Sequence, residues 1–117
     1  MNPTLPDAWR DTVRRHPSRI ALIETATGSQ FTFQQMEDRA DAWAREHGPS
    51  IASLRGGCVL FSEPNGIRWF DLVLGLLKLG AIPVPLDSAE PVESQKRLAT
   101  ALRAAARWEG GRLVPPE

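Results

Sequence analysis

The chain has 117 residues, enough for one small domain with its own core. Its 14 Lys plus Arg balance its 14 Asp plus Glu, so composition gives no electrostatic reason to expect nucleic acid or an anionic membrane as partner. The single cysteine excludes an internal disulfide, and a net charge near zero leaves little colloidal protection against self-association.

Met1-Asn2-Pro3-Thr4 runs straight into an amphipathic pattern with no leader-like segment. A helix is expected over residues 5–16, with Leu5, Trp9, Val13 and His16 at helical spacing. Pro6 suits its first turn, Thr4 with Asp7 approximates a capping pair, and Pro17 stops it. Residues 19–25, containing Ile20-Ala21-Leu22-Ile23, read as a strand. Thr27-Gly28-Ser29 supplies a turn, and residues 30–33 return as the second arm of a hairpin.

Thr32-Phe33-Gln34-Gln35 has the Thr-x-x-Gln form of a capping box. It opens a helix with Phe33, Met36, Ala40, Trp43 and His47 on one face, ended by Gly48-Pro49. Residues 49–57, with Ser50, Ser53 and two glycines, read as a connection. Cys58-Val59-Leu60-Phe61 is apolar without alternation, as in a strand covered on both faces of a parallel sheet.

Glu63-Pro64-Asn65-Gly66 turns the chain, with Asn65 as expected cap of a helix over 67–79. That helix is apolar except for Arg68, Asp71, Gly75 and Lys78. These form a narrow stripe, the one line on which it is expected to meet solvent. The same interruptions keep the longest apolar run short of membrane-spanning length, and the cytoplasm is the expected compartment. Residues 81–86 form the next strand, and the two prolines within it mean that part of it lies at an edge or runs past the sheet.

A last helix opens at Pro91, with Leu98, Leu102 and Ala105 on its packed face and Lys96, Arg97, Arg103 and Arg107 outside. Gly110-Gly111 ends it, and Arg112-Leu113-Val114 begins another strand with an open edge near Val114. The expected fold is α/β in one domain over 1–117: a β-hairpin and a parallel strand–helix–strand unit (58–86, with a right-handed crossover) flanked by helices.

Two stretches together resemble the adenylate-forming (AMP-binding) superfamily of acyl-CoA synthetases, peptide-synthetase adenylation domains and luciferase. Phe31-Thr32-Phe33-Gln34-Gln35-Met36 stands where that family has Leu-Thr-Tyr-x-Glu-Leu. Leu77-Lys78-Leu79-Gly80-Ala81-Ile82-Pro83-Val84-Pro85-Leu86-Asp87 is similar to its Leu-Lys-Ala-Gly-x-x-x-Val-Pro-Leu-Asp motif. The strand leading to Pro64-Asn65, and His16-Pro17 ahead of Ile20 to Ile23, look like the family's strand ending in Pro-Asn and its start. The resemblance covers roughly residues 5–90, and Trp108-Glu109-Gly110-Gly111 departs from the family's run into its next strand. It implies the N-terminal part of an AMP-dependent synthetase/ligase. The complete enzyme would join a carboxylic acid to AMP using ATP and Mg²⁺, then pass the acyl group to CoA or a carrier thiol.

The family's Ser/Thr/Gly-rich phosphate loop ending in Pro-Lys has no counterpart here. Gly56-Gly57 leads into Cys-Val and Gly110-Gly111 into Arg-Leu. The two lysines, Lys78 and Lys96, lie in expected helices, and the catalytic lysine of the family's C-terminal domain has no matching position. No catalytic, cofactor-binding or metal residue carries over, and the chain alone is expected to be inactive.

The residues most capable of chemistry have plainer readings. His16 and His47 sit at helix C-termini and lack a second ligand for a metal. Cys58 has apolar neighbours. Asp87 follows a strand end, where α/β proteins place ligands, but also suits a turn. Asn65-Gly66 lacks the spacing of a phosphate turn. Trp9, Trp43, Trp69 and Trp108 are expected in helices or at their ends, as packing residues. The expected partner is the remainder of a ligase polypeptide, or a second copy at an exposed sheet edge. The alternative is a standalone non-catalytic interaction or scaffold module.

Overall fold

The computed structural model describes residues 4–51 and 54–117. Met1 to Pro3, on which the leader reading rested, and Ser53 of the connection lie outside them. Helix α1 (Leu5–Arg15) opens with the reciprocal Thr4–Asp7 capping box. The Asp7 carboxyl is held below its usual range by hydrogen bonds from the Thr4 side, then from Arg10. Val13 is buried, whereas Leu5 and His16 are exposed. Strands β1 (Ile20–Ile23) and β2 (Gln30–Thr32) form the antiparallel hairpin, with an irregularity between Ile20 and Leu22.

Helix α2 (Phe33–His47) starts on the Thr32–Gln35 capping box and buries Met36, Ala40 and Trp43. Gly48 does not end it in a left-handed conformation. It is right-handed and begins a short 3-10 turn, Gly48–Ser50. A Cβ there would stand 2.8 Å from a methyl of Leu79, which would have to shift.

The second sheet has the order β4-β3-β5-β6. Strand β3 (Cys58–Phe61) is parallel to both β4 (Ile82–Pro85) and β5 (Ala106–Glu109), and β5 is antiparallel to β6 (Arg112–Val114). Val59, Leu60 and Phe61 are fully buried, as a central parallel strand requires. Val59 and Phe61 face a core with Trp43, Leu72, Leu76, Ala81 and Ala106. Leu60 faces the other way, onto Ala99 and Ala104. β4 is an edge strand, as its prolines require. Ile82 and Leu86 donate their N–H groups to Gly57 and Phe61, so the alternate Pro83 and Pro85 turn their donorless nitrogens to the open side.

Four expectations are corrected. The polar stripe of α3 (Ile67–Lys78) does not face solvent along its length: Asp71 and Lys78 pair with α2, and Gly75 is buried beneath Trp43. Asn65 does not cap α3. Gly66 holds the cap position without a side-chain bond, and the Glu24 carboxylate accepts from Ile67 N–H at 3.0 Å from across the chain.

Helix α4 (Val92–Ala101) buries Gln95 and Ala99, leaving Leu98 and Leu102 36% and 45% exposed. Gln95 bonds to Ser62 and the Glu90 carbonyl, and small Ala99 lets the helix approach Leu60. Finally, α4 stops before Arg103, and residues expected in its last turn form β5. Trp108 therefore lies on a strand. Arg107, expected outside a helix, is 2% exposed, its guanidinium held by the Pro116 carbonyl and Glu109. Gly110 and Gly111, both at positive φ, make the two-residue β5–β6 turn.

Among the described residues no helix is long and apolar enough to cross a membrane.

Candidate functional site

Parallel sheets place ligands beyond the carboxyl ends of their strands. Here β3 and β4 end at Phe61 and Pro85, and the segments that follow meet in an open cleft of about 240 Å³. Glu63, Asn65, Trp69, Asp87 and Ser88 line it. Asp87 and Asn65, singled out separately in the sequence, are thus brought together. Their roles differ from those of a reacting pair. Asp87 Oδ1 accepts from Ala89 N–H at 2.8 Å, which fixes its own turn, and Asn65 forms no cap. With Glu63 beside Asp87 and no Lys or Arg in the wall, the cleft presents carboxylates and repels a polyphosphate.

The histidines do not join it. His16 is exposed at the end of α1. His47, Trp43 and Trp108 form a triangle of rings: the imidazole lies 4.9 Å from each indole, tilted to Trp43 and edge-on to Trp108, and the two indoles lie 5.4 Å apart. This aromatic group closes the top of the core and forms part of a second opening, of about 430 Å³, that also reaches Glu46, Glu63 and Arg68. Cys58 is half-buried and packs with Val84 and Leu86 against the Leu60 cluster. Among the described residues no three His, Cys, Asp or Glu side chains converge as a metal site.

The densest polar arrangement is a seam between α2 and α3. Arg39 clasps Asp71 with two bonds of 3.0 and 2.7 Å. Lys78 Nζ lies 2.8 Å from Glu37 and 2.9 Å from Asp41, and the same Glu37 oxygen accepts from the Trp9 indole N–H at 2.9 Å. Burial pulls the Lys78 ammonium down, but its bonds to Glu37 and Asp41 outweigh this and leave it above the ordinary lysine range. For Arg39, the Asp71 bonds likewise outweigh desolvation and raise it. These charges tie three helices together and are spent on one another. Lys78 is not free to meet a phosphate, and Lys96 stands on the α4 surface 3.8 Å from Glu93.

Sequence reasoning missed Glu24 as the α3 cap and Glu37 as the hub of the seam. The only local hint was the alternation of acidic and basic residues on α2, because each partner lies 28 or more residues away.

Among the described residues the α2–α3 seam is a packed layer whose charges are paired with one another. The profile of the family described as AMP-binding enzyme matches residues 9–106, spanning α1 to the first residue of β5. A hybrid PKS-NRPS synthetase, mycA, of Thermothelomyces thermophilus is 36% identical over 97 residues, covering 81% of this chain and 2% of that one. The salicyl-AMP ligase / salicyl-S-ArCP synthetase of Mycobacterium tuberculosis is 34% identical over 85 residues, covering 69% of this chain and 15% of that one. In fold, the chain is similar to the N-terminal subdomain of Klebsiella oxytoca NpsA. The TM-score is 0.81 and the identity 22%, over 99% of this chain and 30% of that one. The chain therefore spans a small part of the length of each of these proteins.

Proposed function

The chain belongs to the AMP-binding enzyme family, and we propose that it supplies the opening wall of an acid-activating ligase and none of its chemistry. In the complete enzyme a carboxylate would attack the α-phosphorus of ATP, releasing pyrophosphate. A thiol of CoA or a carrier would then take the acyl group and release AMP. The name of the Mycobacterium relative, a salicyl-AMP ligase, is of this reaction class.

The observation that carries the reading is where the family match falls. Within it, Leu77 to Asp87, the stretch similar to the family's motif, builds the turn out of α3, the edge strand β4 and the strand-end turn. Those are packing roles. ATP does not fit the residues described here, since the strand-end cleft carries Glu63 and Asp87 with no cation and Lys78 is already paired with Glu37 and Asp41. The two carboxylates suit Mg²⁺ by type, but no third such ligand joins them among the described residues. The groups that hold ATP and Mg²⁺ would come from the rest of the ligase polypeptide, the partner this reading implies.

A chimera tests it: residues 9–106 replace the matching segment of the salicyl-AMP ligase. A wall role predicts that the chimera keeps salicylate-dependent ATP–pyrophosphate exchange with unchanged acid preference. A folded chimera with altered acid preference contradicts it.

The alternative, a standalone interaction module, draws on the blunted edge at Pro83 and Pro85, which disfavours strand-to-strand self-association there. Gel filtration separates the two. A stable monomer supports the self-contained module, and an oligomer or aggregate supports a layer that needs the rest of a ligase.

A further inference from the structure

The amino ends of β3 and β4 carry a different arrangement from their carboxyl ends. Arg55 precedes β3 and Gly80 precedes β4, and the Gly56 N–H donates to the Gly80 carbonyl at 2.7 Å. Between this junction and α1 lies a cleft of about 230 Å³. Trp9, Leu74 and Leu77 form its apolar surface, and Arg10, Arg55 and Lys78 ring it. It is separated from the Glu63–Asp87 cleft by the length of the strands.

The three cations are engaged differently. Arg10 is bonded to the Asp7 carboxylate, and Lys78 is held between Glu37 and Asp41. Arg55 has no carboxylate within ion-pair distance among the described residues. Arg55 is exposed to solvent. It is laid along Gly80, where a Cβ would stand 3.1 Å from Nη1 and 3.2 Å from Cγ. Gly80 has φ +74, so a glycine there serves both the left-handed turn and this contact. An accessible guanidinium without a carboxylate partner, on a cleft walled by an indole and two leucines, matches an anion with an apolar body. The planar fork takes a carboxylate through two bonds.

We propose that this cleft binds a small amphipathic monocarboxylate, its carboxylate on Arg55 and its apolar body against Trp9, Leu74 and Leu77. The site stands at the opposite end of the sheet from the strand-end turns and does not depend on the ligase reading.

The test titrates the 117-residue chain, labelled with ¹⁵N, with 1-naphthoate and follows the Trp9 indole N–H resonance, assigned with Trp9→Phe. A saturable shift is expected. Arg55→Ala should weaken binding about tenfold, the scale of a lost charge-assisted bond. Arg55→Gln, which keeps most of the stem, should weaken it similarly. The uncharged 1-naphthalenemethanol should bind at least about tenfold more weakly than the acid. No saturable Trp9 shift, equal binding of acid and alcohol, or unchanged affinity in both Arg55 variants would overturn the proposal.

Discussion

The Trp43 ring rests directly on the α-carbon of Gly75: a Cβ there would stand 2.3 Å from Trp43 Cε3 and 2.9 Å from Cδ2. This contact sets how closely α2 and α3 approach, and the ion pairs of the seam lie on the same two helices. Gly75→Ala should therefore destabilise the chain by about 1–3 kcal/mol, because the indole cannot withdraw from a core that also holds Leu72, Leu76 and Val59. Urea unfolding followed by tryptophan fluorescence measures this. The gain of up to about 1 kcal/mol expected for Gly→Ala in an uncrowded helix would disprove the contact.

Helices α3 and α4 end in the same way with different residues. After α3, Gly80 and Ala81 donate N–H groups to Leu77 and Leu76, with Gly80 at φ +74. After α4, Arg103 and Ala104 donate to Thr100 and Ala99, and Arg103 occupies the left-handed position at φ +52. Arginine is strained there by about 1–2 kcal/mol, and part of that relief is offset by the extra freedom glycine gives the unfolded chain. Arg103→Gly is expected to stabilise by about 0.5–1 kcal/mol. A lower melting temperature in the variant would count against this end structure.

Glu24 anchors the hairpin to α3 by capping Ile67 N–H across 43 residues. Glu24→Ala should cost about 1 kcal/mol, the usual loss of an N-cap acceptor. Glu24→Gln keeps an acceptor and should recover most of it, leaving only the charge–dipole part missing. Equal losses for Ala and Gln would show that the charge alone acts.

Lys78 gives a pH dependence with a definite sign. Its folded-state pKa lies above the ordinary 10.5, because the bonds to Glu37 and Asp41 outweigh desolvation. The stabilisation is therefore complete below the unfolded value and disappears as pH rises through the higher folded value. Lys78→Met should cost about 1–3 kcal/mol at neutral pH, since Glu37 and Asp41 lose their cation. The gap between parent and variant should narrow only above about pH 10.5. A gap that narrows between pH 7 and 9 would contradict the pairing.

Much of the fold was legible because its signals are local. Thr4–Asp7 and Thr32–Gln35 satisfy helix donors three residues away, and the missing donors of Pro83 and Pro85 leave only an edge or a run past the sheet, of which the structure has the edge. The misread parts depend on distant partners. Arg103-Ala104-Ala105-Ala106 continues a helical composition, and it becomes a turn and strand because Ala106 and Arg107 pair with Val59 and Leu60. The α3 stripe was correctly confined to one face, but spacing does not say whether water or α2 covers that face. Asn65 and Asp87 were drawn out by their place after strands, and the structure does set both in one cleft. Their chemistry stayed silent because Asp87 is used by its own turn. Arg55, in a stretch read as a plain connection, gains its setting only from the approach of Gly80.

The central claim, that this chain builds a wall and carries no chemistry, is tested most directly by ATP–pyrophosphate exchange with the purified 117-residue chain. The assay would use labelled pyrophosphate, Mg²⁺ and a panel of aryl, alkyl and amino acids. The account predicts label incorporation into ATP no higher than in the protein-free blank for every acid. Acid-dependent incorporation above that blank, abolished by omitting the acid, would contradict it.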